Sequence, residues 1–131
     1  MILDTQFLID MLRGKDSSAI EKARELDAKF GVKGIVTISV MELWKGAMQS
    51  IHQEKEKRKI NEMIHSLLVH SFTEEDAKKA GEIEVDLEKR GEMIDLEDIM
   101  IAGATISRNE TLLTRNIKHF SKIKGLNVES Y

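Results

Sequence analysis

Three carboxylates stand where a chain that alternates strands and helices could bring them together. Asp4 follows the apolar run Met1 to Leu3, Glu42 follows the run ending near Ile38, and Asp98 falls in the first turn of a helix expected from about Leu96. Each has a local explanation. Asp4 fits a helix N-cap, Ser39-Val40-Met41-Glu42 fits an S-x-x-E capping box, and Asp95 with Asp98 fits a cap followed by a favourable first-turn acid. Their placement points further, because ligands of open parallel sheets bind beyond the carboxyl ends of the strands, where the following helices begin. Carboxylates gathered at such an edge repel one another and raise each other's pKa unless a divalent cation holds them ionised. Thr5 and Thr114 offer hydroxyls near the same edge, and Asp95 lies about one helical turn from Asp98. The chain has no cysteine, which excludes disulfides and thiolate metal sites and leaves oxygen and imidazole donors. His52, His65 and His70 show no ligand spacing, and His119 reads as a packed or surface residue. An oxygen-rich site of this kind suits Mg²⁺ or Mn²⁺, which keep several waters and need few protein carboxylates.

The elements that must position these groups follow from periodicity. Apolar β-prone runs at Met1 to Leu3, Gly34 to Ile38, Leu68 to Phe72 and Thr111 to Thr114 each precede a stretch with helical spacing, and a last short strand is expected near Leu126 to Val128. Helices are expected at about Gln6 to Leu12, Ser18 to Phe30, Val40 to Ile51, Glu54 to Leu67, Glu74 to Arg90 and Leu96 to Arg108. Such alternation predicts an α/β fold of three layers, helices on both faces of a mainly parallel sheet. The helix DLEDIMIAGATIS is apolar almost all round after its acidic start, with Ala102, Gly103 and Ala104 in the middle. It reads as a buried helix that approaches its neighbours closely and would hold Asp98 rigidly. Met41, Met48, Met63, Leu67, Leu68 and Trp44 read as core or partner-surface residues, and the EKEKRK run from Glu54 to Lys59 as a solvated helix face.

Length and composition bound the rest. The 131 residues suit one compact domain over positions 1–131, with 41% hydrophobic and 33% charged residues. The net charge of -3 argues against a protein that grips nucleic acid by neutralising many phosphates, although a bound cation would supply positive charge where one phosphodiester must be held. No apolar run approaches the roughly 20 residues of a membrane span, and MILDTQ lacks the pattern of a signal peptide, so a cytoplasmic location is expected.

The motifs also resemble a known family. MILDTQFLID resembles the strand, Asp-Thr and short apolar helix that open PIN domains. ISVMELWKGA resembles their second motif, with Glu42 as its acid and Leu43 and Gly46 around it. IDLEDIMIAGATISRNETLLTRNIKHF resembles the third and fourth, an Asp before an Ile-Ala-rich helix and then a strand ending in Thr-x-Asn or Thr-x-Asp. Size and spacing are most similar to the toxin subunits of VapBC toxin–antitoxin pairs. The resemblance implies a Mg²⁺- or Mn²⁺-dependent endoribonuclease acting on RNA, homodimeric and inhibited by a small VapB-like antitoxin. It implies that Asp4, Glu42 and Asp98 are acidic site residues and puts Asn116 at a fourth position where many relatives carry Asp. Gln6 replaces an Asn or Ser common two residues after the first acid. Arg115 reads as a surface arginine or a phosphate contact. The rival expectation is a PIN-like module with a silent site that binds RNA or a protein, for which Asn116 is the best support. A phosphoacceptor receiver domain would need paired acids after the first strand, and this chain has Asp4 alone there.

Overall fold

The computed structural model describes residues 1–29 and 31–131. In chain order it runs β1 (Ile2–Leu3), α1 (Thr5–Arg13), α2 (Ser17–Ala28), β2 (Gly34–Val36), α3 (Thr37–Met48), α4 (Gln53–His65), β3 (Leu68–His70), α5 (Glu74–Arg90), α6 (Leu96–Ser107), β4 (Thr111–Leu113), α7 (Ile117–Phe120) and β5 (Asn127–Glu129). The strands form one five-stranded sheet in the order β3-β2-β1-β4-β5, parallel throughout. The α/β alternation thus yields the expected parallel sheet, with a change of direction between β1 and β4. From β1 the chain winds outward through β2 and β3, then returns to place β4 on the other side of β1 and winds outward again to β5.

Successive strand residues point to opposite faces, and both faces are covered. Ile2, Val36 and Leu112 pack with Leu87 of α5 and Ile99, Ile101 and Ala102 of α6. Leu3, Ile35 and Leu113 pack on the other side with Phe7 and Leu8 of α1, Leu43 and Ala47 of α3 and Ile60 of α4. The strands are only two or three residues long because each contributes just one or two side chains to each face before the chain turns into a helix.

The two long helices at the first face lie in close contact for a reason visible at one position. A Cβ on Gly103 of α6 would sit 2.9 Å from the Ala80 backbone nitrogen and 3.0 Å from the Asp76 carbonyl oxygen of α5. Only glycine allows this backbone-to-backbone approach. A capping box starts α5, with Thr73 accepting from the Asp76 amide and Asp76 accepting from the Thr73 amide. The buried Asp76 also receives Arg108 at 2.8 Å, which ties the start of α5 to the end of α6.

Several boundaries differ from the periodicity reading. Strand β2 ends at Val36 and α3 begins at once with Thr37, three residues earlier than Val40. The β-branched run Val36-Thr37-Ile38 favours a strand by propensity, and tertiary packing overrides it. Ser39 is therefore inside α3 and buried, and the expected Ser39–Glu42 capping box does not form. Strand β3 stops at His70, α2 ends at Ala28, and the expected helix end at Phe30 lies outside the described residues. Met63 and Leu67 pack against the core, whereas Met41, Met48 and Leu68 are about half exposed. Among the described residues no helix is long and apolar enough to cross a membrane.

Candidate active site

The change of winding direction between β1 and β4 opens a crevice at the carboxyl ends of these two strands. Asp4 is the first residue beyond β1 and Thr114 the first beyond β4. The Asp4 amide still donates to Leu113 O at 3.0 Å, so the strand pairing runs up to the site and fixes its floor. Asp4 is 5% exposed and both its oxygens are engaged. Oδ1 accepts from the Thr5 amide at 2.9 Å and Oδ2 accepts from Thr114 Oγ1 at 2.7 Å. Thr114 Oγ1 in turn accepts from the Asn116 amide at 3.0 Å, which locks its hydroxyl toward Asp4. Asp4 is thus an N-cap, as local reasoning expects, and a held carboxylate at the crevice. Each of its oxygens keeps a further lone pair for another partner.

Glu42 reaches the crevice from the second turn of α3. Its Oε1 accepts from Thr5 Oγ1 at 2.7 Å, and the same hydroxyl lies 2.9 Å from Ser39 Oγ. Thr5 thereby links the two acids, its hydroxyl donating to Glu42 and its amide to Asp4. Asp98 comes from the first turn of α6, whose buried Ile99, Ile101 and Ala102 anchor the helix against the sheet. Asp4, Thr5, Gln6, Glu42, Asp98 and Asn116 line one open cleft of about 510 Å³.

Electrostatically the cleft is loaded with negative charge. Burial pushes the Asp98 carboxyl up to about 7, helped by the charges of Asp4, Asp95, Glu42 and Glu97. Burial also raises Asp4, against the lowering hydrogen bonds from Thr114 and Thr5. Glu42 is raised by burial and by Asp4 and Glu97, while the Thr5 hydrogen bond and the charge of Lys45 pull it down. Arg115 lies on the rim but is already neutralised: it contacts Asp16 at 2.8 Å and Asp10 at 3.2 Å and stacks 4.7 Å above the Tyr131 ring. Among the described residues that line the cleft the acids therefore meet no unpaired cation, and Lys45 acts on Glu42 from outside that lining. That is the setting in which a hard divalent cation binds. The donors present are carboxylate and hydroxyl oxygens, the set such an ion takes. Among the described residues no three Asp, Glu, His or Cys side chains are grouped tightly enough to form a coordination cage alone. A Mg²⁺-type site needs only one or two protein carboxylates, because waters complete its octahedron.

The remaining expected residues divide. Asp95 occupies the N-cap position of α6 without a side-chain cap bond and acts on Asp98 as a neighbouring charge. Asn116 precedes α7 without capping it through its side chain, and its Nδ2 lies 2.8 Å from His119 Nδ1. Gln6 lines the cleft and its amide donates to Asp10 at 2.9 Å. Residues the sequence reading passed over are Glu97, which adds charge beside Glu42 and Asp98, and Asp10, a buried acid that gathers Gln6, Arg115 and Tyr131. The acidic run Asp95 to Asp98 signalled the first. The second has no local signal, since its partners come from the far end of the chain.

A family model described as PIN domain matches residues 1–126, which include every acid of the cleft. The chain belongs to the PIN-domain family. Within it, the chain is 30% identical to the protein named Ribonuclease VapC2 of Rickettsia felis, over 99% of this chain and 96% of that one. It is 27% identical to the tRNA(fMet)-specific endonuclease VapC of Salmonella typhimurium, again over 99% and 96%. Among solved structures, the crystal structure of VapBC2 from Rickettsia felis bound to a promoter DNA fragment contains a chain that superposes with a TM-score of 0.91. It is 29% identical and the match covers 99% and 97% of the two chains. DNA-bound VapBC of Salmonella typhimurium gives 0.88 at 28% identity, covering 98% and 96%. The PIN fold of this chain is therefore the three-layer arrangement that the βα alternation predicts.

Proposed function

We propose that this PIN domain, a single unit over residues 1–131, is a metal-dependent endoribonuclease and the toxin of a VapBC-type pair. The observation that carries the reading is the meeting of Asp4, Glu42 and Asp98, from three distant segments, in one cleft at the switch point of the sheet. The names of the similar proteins, ribonucleases and a transfer-RNA endonuclease, support RNA as the substrate.

Asp4 and Asp98 would hold a Mg²⁺ or Mn²⁺ ion, with Glu42 completing the acidic set. When bound, the ion supplies positive charge to the phosphoryl oxygens and makes an attacking water more acidic. The Thr114 hydroxyl and the Thr5 amide orient Asp4 and favour its ionised form against the burial that raises it, so it would offer its remaining lone pairs without rearranging. Glu42, aimed by Thr5, orients water and takes its proton. Thr5 and Thr114 act through these acids. Asp95 adds negative charge beside Asp98, and Asn116 would offer an amide to substrate or water without the charge an Asp would add there. With one acid fewer, a single metal is favoured. Hydrolysis leaves a 3′-hydroxyl and a 5′-phosphate. A VapB-like antitoxin as inhibitor, a homodimer and a cytoplasmic setting belong to the same reading.

The test is cleavage of structured and single-stranded RNA by the purified protein with Mg²⁺, Mn²⁺ or chelator, beside Asp98→Asn. Cleavage by the wild type that needs the ion and is lost in the variant is expected. Equal cleavage by Asp98→Asn, or activity that survives chelation, refutes the mechanism. A protein that binds RNA but never cuts it favours the silent-module reading that Asn116 suggests.

A further inference from the structure

A second cavity of about 490 Å³ lies between α1, α3 and α4 and shares Ile9 and Glu42 with the acidic cleft, so the two are continuous. Its character is different. Arg13, Lys15 and Lys59 stand along it, and among the described residues none of the three is held in an ion pair, although neighbouring Lys57 is tied to Glu54. The acidic charges on its lining are Glu42 and Glu56. The floor is open at Gly46, inside α3, where an added Cβ would meet nothing within 4 Å. Packing therefore does not require a glycine there. Alanine would stabilise the helix by about 0.5–1 kcal/mol, so the empty position costs stability and leaves room in the groove.

We propose that this groove is the subsite for the RNA strand flanking the scissile phosphate, with Arg13, Lys15 and Lys59 contacting its phosphates and the space over Gly46 receiving a base. The inference rests on the nuclease reading above and adds where the substrate lies. A polyanion cannot approach a cleft of uncompensated carboxylates on the strength of one cation alone. Cations are needed beside the cleft, and Arg13, Lys15 and Lys59 stand unpaired, among the described residues, in the groove that adjoins it, with Lys45 adding its charge near Glu42. A chain with a net charge of -3 has to concentrate such contacts in one place. An acidic or apolar peptide could use the same groove; the continuity with the acids and the unpaired cations favour RNA.

The experiment has a binding arm and a cleavage arm. In the binding arm, anisotropy of a labelled short single-stranded RNA is followed against salt in an Asp98→Asn background, where turnover does not interfere. Arg13→Gln, Lys15→Gln and Lys59→Gln are each expected to flatten the log–log salt dependence by about 0.7, the single-strand value per phosphate contact. Gly46→Met is expected to weaken binding by filling the floor, and Gly46→Ala to leave the protein at least as stable. Lys78→Gln, on the exposed face of α5, is the control and should change neither slope nor affinity. In the cleavage arm, carried out with Asp98 intact, the loss for the three cation variants should fall on KM with kcat retained. Salt slopes and affinities equal to those of the parent overturn the groove assignment while leaving wild-type cleavage, and the nuclease reading, intact. Variants that bind RNA normally but lose a VapB-like peptide would hand the groove to the antitoxin instead. A wild type that never cuts RNA refutes the nuclease reading, and the slopes from the binding arm still decide the groove.

Discussion

Replacing Asp98 by asparagine should make the metal-free protein more stable at neutral and alkaline pH. The Asp98 carboxyl is pushed from its ordinary 3.8 to about 7, first by burial and then by Asp4, Asp95, Glu42 and Glu97. Between these two values the unfolded chain carries the residue ionised while the folded protein binds its proton. The folded state therefore holds more protons, and stability falls as pH rises through this window. Above about pH 7 the full penalty applies; below about pH 4 it is absent. At 1.36 kcal/mol per unit, a shift of about three units sets an upper bound near 4 kcal/mol. Solvent reaching a cleft residue reduces this to about 1–2 kcal/mol. The assay is denaturant unfolding in chelator from pH 4 to pH 8. Asp98→Asn should gain over the wild type at pH 8 and lose that gain by pH 4. Adding Mg²⁺ should reverse the order at pH 8, since an ion at a hundred times its dissociation constant stabilises the wild type by about 2.7 kcal/mol. A variant no more stable at pH 8 without metal, or a gain that persists unchanged to pH 4, would refute the claim that these acids are held together against their repulsion.

Two further outcomes test how the site is held. Gly103→Ala should destabilise the fold by about 1–3 kcal/mol in denaturant unfolding, because its Cβ would meet the Ala80 and Asp76 backbone at 2.9 and 3.0 Å. An unchanged midpoint would contradict the close approach of α5 and α6. Thr5→Val removes the hydrogen bond that favours ionised Glu42, so its pKa should rise further and the acidic limb of the pH–rate profile should move to higher pH. A profile that stays in place would remove Thr5 from any role in aiming Glu42.

The sequence carried the sheet and the cleft unevenly. Short apolar β-prone runs and period-3.6 patterning were enough for the strands and long helices, since strands covered on both faces read as apolar runs and the amphipathic helices carry an apolar stripe. It failed at Thr37 to Ser39, where β-branched residues begin a helix and a plausible capping box sits inside it. Asp4 and Asp98 stood out because they lie just past a strand and in the first turn of a helix, positions with chemical meaning in parallel sheets, whereas Glu42, in the second turn of α3, was singled out on a strand end placed too late and on the motif around it. The partners that hold them were harder to read. Thr114 was visible only as a hydroxyl near the edge, and its bond to Asp4 depends on the pairing of β1 with β4 across 110 residues. Asp10 had no readable role because Tyr131 and Arg115 reach it from the opposite end of the chain. Of the free cations in the second groove, Lys59 read as part of a solvated face in the EKEKRK run and Arg13 and Lys15 carried no signal, until the packing of α1, α3 and α4 set the three along one cavity.

Anomalous diffraction from crystals equilibrated with Mn²⁺ addresses the central claim most directly. One strong peak is expected within coordination distance of Asp4 and Asp98 carboxylate oxygens, with Glu42 facing it, and no such peak in Asp98→Asn crystals. Mn²⁺ absent from this cleft at saturating concentration, or bound elsewhere on the surface, would contradict it.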